Sequence, residues 1–184
     1  TEGATAGGIG ARFGYTATAA DQQPPVEPDH TVNLELQFTD RRPEIPEFFF
    51  EPTGLHVEPG DTVKFNMATP HHNVNPYHPA LGYNQRVPDG VSPFSSPILT
   101  AGDYWLYTFE QEGVYDYMCA PHEIFGMVGR IVVGSATGRE IEIPMSGCLD
   151  FDDNLAGTEY VVGVLAHSQG YNYLITSFYT SDGN

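Results

Sequence analysis

The sequence predicts an all-β protein, a β-sandwich with an extension at each end of the chain. Apolar and polar residues alternate over several short segments, and turns rich in glycine and proline separate these segments. No stretch before residue 150 shows the 3.6-residue periodicity of a helix. Many short strands joined by such turns are typical of two packed sheets, and 184 residues suffice for one domain with a substantial core.

The clearest strand pattern lies at residues 32–38, where Val32, Leu34, Leu36 and Phe38 alternate with polar residues. Further strands are expected at residues 55–58, 63–67, 104–109, 114–118, 128–133 and 140–143. The sequence Glu-Gln-Glu-Gly at 110–113 separates two of these strands and predicts a hairpin. The segment 76–100, rich in Pro, Gly, Ser and Asn, predicts a long loop with room for one short turn of helix.

Composition divides the chain into three parts. Residues 1–30 are rich in Gly, Ala, Thr and Pro and predict a flexible spacer. Residues 31–145 contain the strand pattern and form the predicted sandwich domain. Residues 146–184 form a C-terminal extension, in which segments 160–166 and 171–179 could pair as a hairpin packed on the sandwich, with helix as the alternative for the first. The longest apolar run, at 160–166, is too short to cross a bilayer.

The charge balance restricts the classes of partner. The chain has 24 acidic and 7 basic residues, a formal net charge of -17, and such a field repels nucleic acids and anionic lipids. Aromatic residues make up 12% and hydrophobic residues 40%, too much for a chain that stays disordered. A folded acidic protein with one lysine, Lys64, is typical of a halophile, because high salt screens its self-repulsion.

Residue types that bind metals cluster between two of the predicted strands. Cys119, His122 and Met127 fall within nine residues and offer a thiolate, an imidazole and a thioether, which soft and borderline metals prefer. Cys119 ends one strand and Met127 begins the next, so the loop between them can bring all three side chains to one point. A second imidazole is expected from His72, which follows another predicted strand, with its neighbour His71 as the alternative.

Two histidines, one cysteine and a weak axial methionine form the ligand set of a blue-copper site. A near-trigonal arrangement of these donors suits both Cu(I) and Cu(II), so little has to move when an electron arrives or leaves. A structural zinc site would normally offer four Cys or His ligands, and zinc rarely accepts a thioether. We therefore expect one copper ion that transfers single electrons.

The spacing Cys119-x2-His122-x4-Met127, with His72-Asn73-Val74 upstream, resembles that of the cupredoxin family, closest to its plastocyanin, pseudoazurin and halocyanin group. The family's strand and turn patterns are also present at residues 57–63, 113–115 and 127–133. The resemblance covers about residues 31–134 and implies an eight-stranded Greek-key sandwich with copper near one end. It makes His72, Cys119 and His122 the strong ligands and Met127 the axial one.

The resemblance also implies roles for the residues around the ligands. In the family, the residue after the first histidine holds the two ligand loops together by hydrogen bonds, and here that residue is Asn73. One edge of the second histidine reaches the surface inside an apolar patch where redox partners dock. That patch would be built by Pro121, Ile124, Phe125 and Val128.

The resemblance implies a carrier of single electrons between a redox donor and an acceptor, such as a cytochrome, an oxidase or a reductase. The expected location is extracytoplasmic, on the outer face of the cell membrane and peripheral to it. The segment 1–30 could tether the domain to a lipid anchor, as in some haloarchaeal members, although it contains no cysteine that could accept a lipid. No enzymatic activity and no nucleic-acid partner are expected.

Three alternatives are weaker. A disulfide between Cys119 and Cys148 would leave the Cys-x2-His-x4-Met spacing unexplained, so Cys148 is expected to be a buried, unpaired thiol. A copper storage or delivery protein would usually hold Cu(I) through several Cys or Met residues. A hydrolase nucleophile at Ser168, in Ala-His-Ser-Gln-Gly, lacks the histidine that should follow it in that fold.

Overall fold

A computed structural model of the chain, described here for residues 8–18, 22–40 and 42–135, forms two β-sheets around a common core, so the predicted all-β sandwich is confirmed. The described strands, in chain order, are β1 (Tyr15–Ala17), β2 (His30–Thr39), β3 (Arg42–Glu51), β4 (Gly54–Val57), β5 (Thr62–Met67), β6 (Asn75–Pro76), β7 (Tyr104–Thr108), β8 (Gly113–Met118) and β9 (Val128–Val133).

The five-stranded sheet has the order β1-β7-β5-β2-β3, and the four-stranded sheet has the order β4-β9-β8-β6. The pairs β2/β5 and β4/β9 are parallel and the other pairs are antiparallel. From β3 to β8 each successive strand lies in the opposite sheet, so the chain crosses the core at every connection. These repeated crossings bring the end of β5, which precedes His72, close to the end of β8, which precedes Cys119.

Strand β2 shows the predicted alternation only in its first half. Val32 and Leu34 are fully buried, but Phe38, which the alternation places on the buried face, is 61% exposed. The pairing of β2 with β5 ends at Leu34, and a register shift interrupts its pairing with β3 between Gln37 and Thr39. The far end of β2 therefore extends beyond the sandwich, and the prediction for Phe38 is wrong.

Residues 110–113 join β7 to β8 but do not form the predicted hairpin. Strand β7 pairs with β1 and β5 in one sheet, and β8 pairs with β6 and β9 in the other. Phe109 is buried at the start of the link, and the Tyr115 hydroxyl donates to the carbonyl of Gln111 at 2.7 Å. The glycine-containing sequence specifies a tight turn, but it does not specify whether the flanking strands share a sheet.

Part of the segment predicted to be a flexible spacer lies on the five-stranded sheet. Strand β1 pairs with β7, and Ile9 is buried. The Trp105 indole N–H donates to the carbonyl of Phe13 at 2.8 Å. Gly14 has a φ of +56°, and a Cβ added there would lie 2.5 Å from the Trp105 ring. Backbone carbonyls make several of these contacts, and the buried side chains Ile9 and Ala17 are widely spaced, so no extended apolar periodicity marks the segment.

Strand β3 is absent from the sequence prediction because Pro43 and Pro46 interrupt its pattern. It is the last strand of the five-stranded sheet, where proline is tolerated because one side of the strand needs no hydrogen-bond donors. Its register places Phe48 opposite Leu36 of β2. From this edge strand the Phe48 ring contacts His72 and His122.

Segment 76–100 is confirmed as a long loop, with one turn of 3-10 helix at Pro79–Leu81. The predicted strand at 140–143, Cys148, the C-terminal extension at 146–184 and the segment around Ser168 lie outside the described residues. In the part of the chain that the structure describes, no helix is long and apolar enough to span a membrane.

Candidate metal centre

His72, Cys119 and His122 converge on one point beside the ends of β5 and β8. Cys119 Sγ lies 3.6 Å from His72 Nδ1 and 3.4 Å from His122 Nδ1, and the two Nδ1 atoms are 3.2 Å apart. The centre of such a triangle lies about 2 Å from each donor, close to typical metal–nitrogen and metal–sulfur lengths of about 2.0 to 2.3 Å. The three side chains therefore fit a single metal ion.

Of the two adjacent histidines, His72 belongs to this group, whereas His71 is exposed. His71 has a φ of 68°, unusual for a residue other than glycine, and its N–H donates to the carbonyl of Leu99. His72 forms a bridge with Leu99, in which each residue's N–H donates to the other's carbonyl, at 3.2 and 2.8 Å. The turn at His71 thus directs the next side chain into the protein.

The outer nitrogen of His72 is held by Thr69. The Thr69 hydroxyl lies 2.8 Å from His72 Nε2 and donates its own proton to the carbonyl of Leu34 at 3.3 Å. With its proton directed at Leu34, the hydroxyl oxygen can accept from His72 Nε2–H. This arrangement favours the tautomer in which the lone pair of Nδ1 is directed at Cys119 and His122.

The second ligand loop is a short 3-10 helix, Ala120–Phe125, between β8 and β9. Gly126, with a φ of 95°, ends the helix and lets the chain turn into β9. The Cys119 N–H donates to the carbonyl of Met127 at 3.1 Å, and the Met127 N–H donates to the carbonyl of His122 at 3.2 Å. Met127 is completely buried, so its thioether belongs to the same interior region as the Cys119 thiol.

Asn73 links the two ligand loops. Its side-chain Oδ1 accepts a hydrogen bond from the backbone N–H of Ala120 at 2.8 Å, and the residue is buried. The bond joins the residue after His72 to the residue after Cys119, so each loop limits the movement of the other.

Burial determines the protonation of the three donors. It raises the pKa of the Cys119 thiol to about 11, although hydrogen bonds from the backbone of Asn73 and His122 oppose the shift. Burial, with the neighbouring His122 and His71, lowers the pKa of His72 to about 4. Burial and His71 also lower the pKa of His122. Near pH 7 the metal-free group is therefore a neutral thiol with two neutral imidazoles.

Metal uptake near pH 7 should release about one proton per ion. The thiol must lose its proton to become a ligand, whereas both imidazoles are already neutral. The apparent affinity should consequently rise about tenfold per pH unit around neutral pH. Calorimetry of Cu(II) binding in buffers of different ionisation enthalpy measures the released protons. Uptake without proton release would contradict the assignment of Cys119 as a thiolate ligand.

Replacing Thr69 with valine should weaken copper binding about 10- to 100-fold, because the His72 ring loses the partner that fixes its tautomer. Valine has nearly the same shape as threonine, so the effect isolates the hydroxyl. Thr69→Ser keeps the hydroxyl and should retain most of the affinity. Competition with a chelator of known affinity measures the difference, and equal affinities for the valine and serine variants would contradict the role of the hydroxyl.

Of the four residues expected to form a docking patch, three are exposed to solvent and one is buried. Pro121, Ile124 and Phe125 are exposed on the 3-10 helix beside His122, which is itself partly exposed. Val128 is only 2% exposed and packs with Tyr77 and Met118, so it contributes no surface and its predicted role is corrected. Val128 is the first residue of β9, a strand whose residues are all buried, and it is therefore not part of the exposed loop surface.

Phe48 is a residue near this group that the sequence did not indicate. Its ring stacks on the His122 imidazole with centroids 4.0 Å apart and an interplanar angle of 12°. Phe48 lies on β3, far from the ligand loops in sequence and on a strand that the prediction missed. The pairing of β3 with β2 places Phe48 in the sheet, and from there its ring contacts the donors.

Comparison with known proteins agrees with this donor set. A family model described as copper binding proteins of the plastocyanin/azurin family matches residues 42–134. A pseudoazurin from Methylorubrum extorquens is 35% identical over 85 residues, which are 46% of this chain and 51% of that protein. A plastocyanin from Nostoc punctiforme is 36% identical over 89 residues, which are 46% of this chain and 63% of that protein. The match thus spans only about half to two thirds of these relatives.

Among solved structures, pseudoazurin from Methylobacterium extorquens AM1 matches with a TM-score of 0.47 and 27% sequence identity, covering 61% of this chain and 79% of that chain. Pseudoazurin from Hyphomicrobium denitrificans matches with a TM-score of 0.45 and 30% identity, covering 58% of this chain and 76% of that chain.

The family match includes all three converging donors and Met127, and it spans half of the chain. The donor set, one thiol and two imidazoles around a single point, fits copper on its own chemistry. Copper, one ion per chain, is therefore the cofactor. The chain belongs to the plastocyanin/azurin family of copper-binding proteins.

Proposed function

We propose that this protein is a blue-copper electron carrier in which His72, Cys119 and His122 bind the copper ion and Met127 is a weak axial ligand. The convergence of one sulfur and two nitrogen donors on a single point carries the proposal. Copper supplies a one-electron change between Cu(I) and Cu(II), and this mixed donor set suits both states. The chain is a carrier in this proposal and not an enzyme.

Contacts outside the ligand set hold the donors in place, which favours electron transfer because little has to rearrange. Thr69 fixes the ring of His72, and Leu99 holds the backbone of the same residue. Asn73 ties the first ligand loop to Ala120 of the second. Outer contacts of this kind orient metal ligands and tune the bound ion.

Electrons would enter and leave through the exposed edge of His122. Pro121, Ile124 and Phe125 form an apolar surface next to that edge, and a redox partner could approach closely there. The partners would be a donor and an acceptor such as a cytochrome, an oxidase or a reductase. The net charge of -17 favours a basic partner surface, although salt weakens this steering.

We also propose an extracytoplasmic location, on the outer face of the cell membrane. The excess of 24 acidic over 7 basic residues supports an environment of high salt. In such an environment, docking through the apolar surface would depend less on charge than on contact area.

Electron self-exchange between copper-loaded molecules tests the carrier function and its docking surface together. The unmodified protein should exchange electrons fast enough to broaden NMR lines in mixtures of its oxidised and reduced forms. Ile124→Lys should slow the exchange at least about tenfold, because it places a charge where two apolar surfaces must meet.

Phe13→Lys provides the control for this substitution. Phe13 is 58% exposed and Ile124 is 55% exposed, so the two variants add the same charge at similarly exposed positions, but Phe13 lies beside β1. The electron self-exchange rate of the Phe13→Lys variant should stay within about twofold of the rate of the unmodified protein. If the unmodified protein binds copper but exchanges no electrons, it is instead a storage or delivery protein.

A further inference from the structure

Phe48 contacts the proposed copper ligands from outside their loops. Its ring is stacked on His122 at 4.0 Å between centroids and meets His72 edge-on at 6.3 Å. Its centroid also lies 5.4 Å from that of the Phe125 ring, in a tilted arrangement. One partly buried ring thus touches both imidazoles and the exposed aromatic residue of the second ligand loop.

The two stacked rings are anchored to different degrees. Phe48 lies within β3, opposite Leu36 of β2, and packs against the main core. His122 lies in a short 3-10 helix whose residues include no buried side chain. Because a strand paired in a sheet holds its side chains more firmly than an exposed turn does, Phe48 determines the plane of the His122 ring.

We propose that Phe48 is a positioning residue of the copper site, which holds the His122 ring in its ligating orientation and favours the oxidised state of the site. This inference rests on the proposed function, because it requires His122 to be a copper ligand. It adds a residue of the edge strand β3 to a site otherwise built from the two ligand loops.

The direction of the effect follows from the charge of the two states. The face of an aromatic ring is electron-rich and attracts positive charge. An imidazole bound to the oxidised site carries more positive charge than the same imidazole in the reduced site. The Phe48 ring therefore stabilises the oxidised form more, and removing its aromatic character should raise the midpoint potential.

Phe48→Leu is the informative substitution, because leucine keeps apolar bulk over His122 but has no π face. At a fixed potential, the ratio of oxidised to reduced protein should fall about two- to tenfold, as expected for the loss of one aromatic pair. A tenfold change corresponds to about 59 mV for one electron. Phe48→Tyr keeps the ring and should restore the original ratio to within about twofold.

Phe49→Leu is the matched control. Phe49 is the next residue of β3, is also partly buried, and points to the opposite face of the strand. The same change of side chain at this position should leave the potential as it was. If Phe49→Leu shifts the potential as much as Phe48→Leu, or if neither variant shifts it, the proposal is overturned.

NMR of the metal-free protein provides a readout that does not need copper. The stacked ring of Phe48 should move the His122 ring protons upfield, and Phe48→Leu should abolish this shift while Phe49→Leu preserves it. If Phe48→Leu does not fold, Phe48→Met replaces it with a flexible apolar side chain of similar volume. An unchanged His122 shift in the variant that folds contradicts the stacking itself.

The two proposals can fail separately. If the unmodified protein shows no visible thiolate-to-copper band, the proposed function fails, whatever the Phe48 variants do. If the band is present and the midpoint potential is insensitive to Phe48→Leu, only the role of Phe48 is rejected.

Discussion

Replacing Cys119 with serine should abolish the intense visible absorption expected of the copper-loaded protein. That band arises from charge transfer between a thiolate sulfur and Cu(II), and a serine hydroxyl offers no sulfur and stays protonated near neutral pH. Cys119 is completely buried, with its Sγ within 3.6 Å of both histidine nitrogens, so serine fits the space without disturbing the strands. Absorption spectroscopy after addition of Cu(II) measures the loss.

Cys148→Ser is the matched control for this prediction. It makes the same chemical change at the only other cysteine of the chain, and it should leave the band at full intensity. Equal loss of the band in both variants would instead favour a structural link between the two cysteines and would remove Cys119 from the ligand set.

Asp116→Asn should lower the free energy of unfolding by about 3 to 5 kcal/mol, because it leaves a buried arginine without its counter-charge. Arg130 Nε donates to Asp116 Oδ1 at 2.5 Å and Arg130 Nη2 donates to Asp116 Oδ2 at 3.0 Å. Both side chains are almost inaccessible to solvent. Urea denaturation of the metal-free protein at neutral pH measures the change.

The same ion pair connects the strands that carry the ligand loop. Asp116 of β8 lies directly opposite Arg130 of β9, three residues before Cys119 and three after Met127. Replacing both residues by apolar ones, Asp116→Leu with Arg130→Met, should recover most of the lost stability, since no uncompensated charge remains. A double variant as unstable as Asp116→Asn would show that burial of the lone charge is not the cause.

Strand β5, which precedes the first ligand loop, could be predicted because its side chains alternate between core and surface. In β5, Phe65 and Met67 are buried on either side of the half-buried Asn66, as the period of two requires, whereas every residue of β9 is buried. The ligand spacing around Cys119 lies within one loop, so a short stretch of sequence contains most of the site. Asn73 and Val74 directly after it favour His72 over His71, and the structure brings His72 to the other donors.

Features that depend on pairing between distant strands could not be predicted in this way. The contact of Phe48 with His122 requires the register of an edge strand interrupted by prolines. The role of Thr69 requires knowing that its hydroxyl proton is already donated to Leu34 of a neighbouring strand. The N-terminal contact with Trp105 uses a backbone carbonyl, which every residue possesses and no sequence pattern marks.

Addition of Cu(II) to the metal-free chain, followed by absorption spectroscopy, tests most directly whether His72, Cys119 and His122 form a redox-active copper site. One equivalent of Cu(II) should produce an intense visible band that a mild reductant bleaches and an oxidant restores, because the same buried donors bind both oxidation states. A colourless product, or a chain that retains only zinc, would contradict the site.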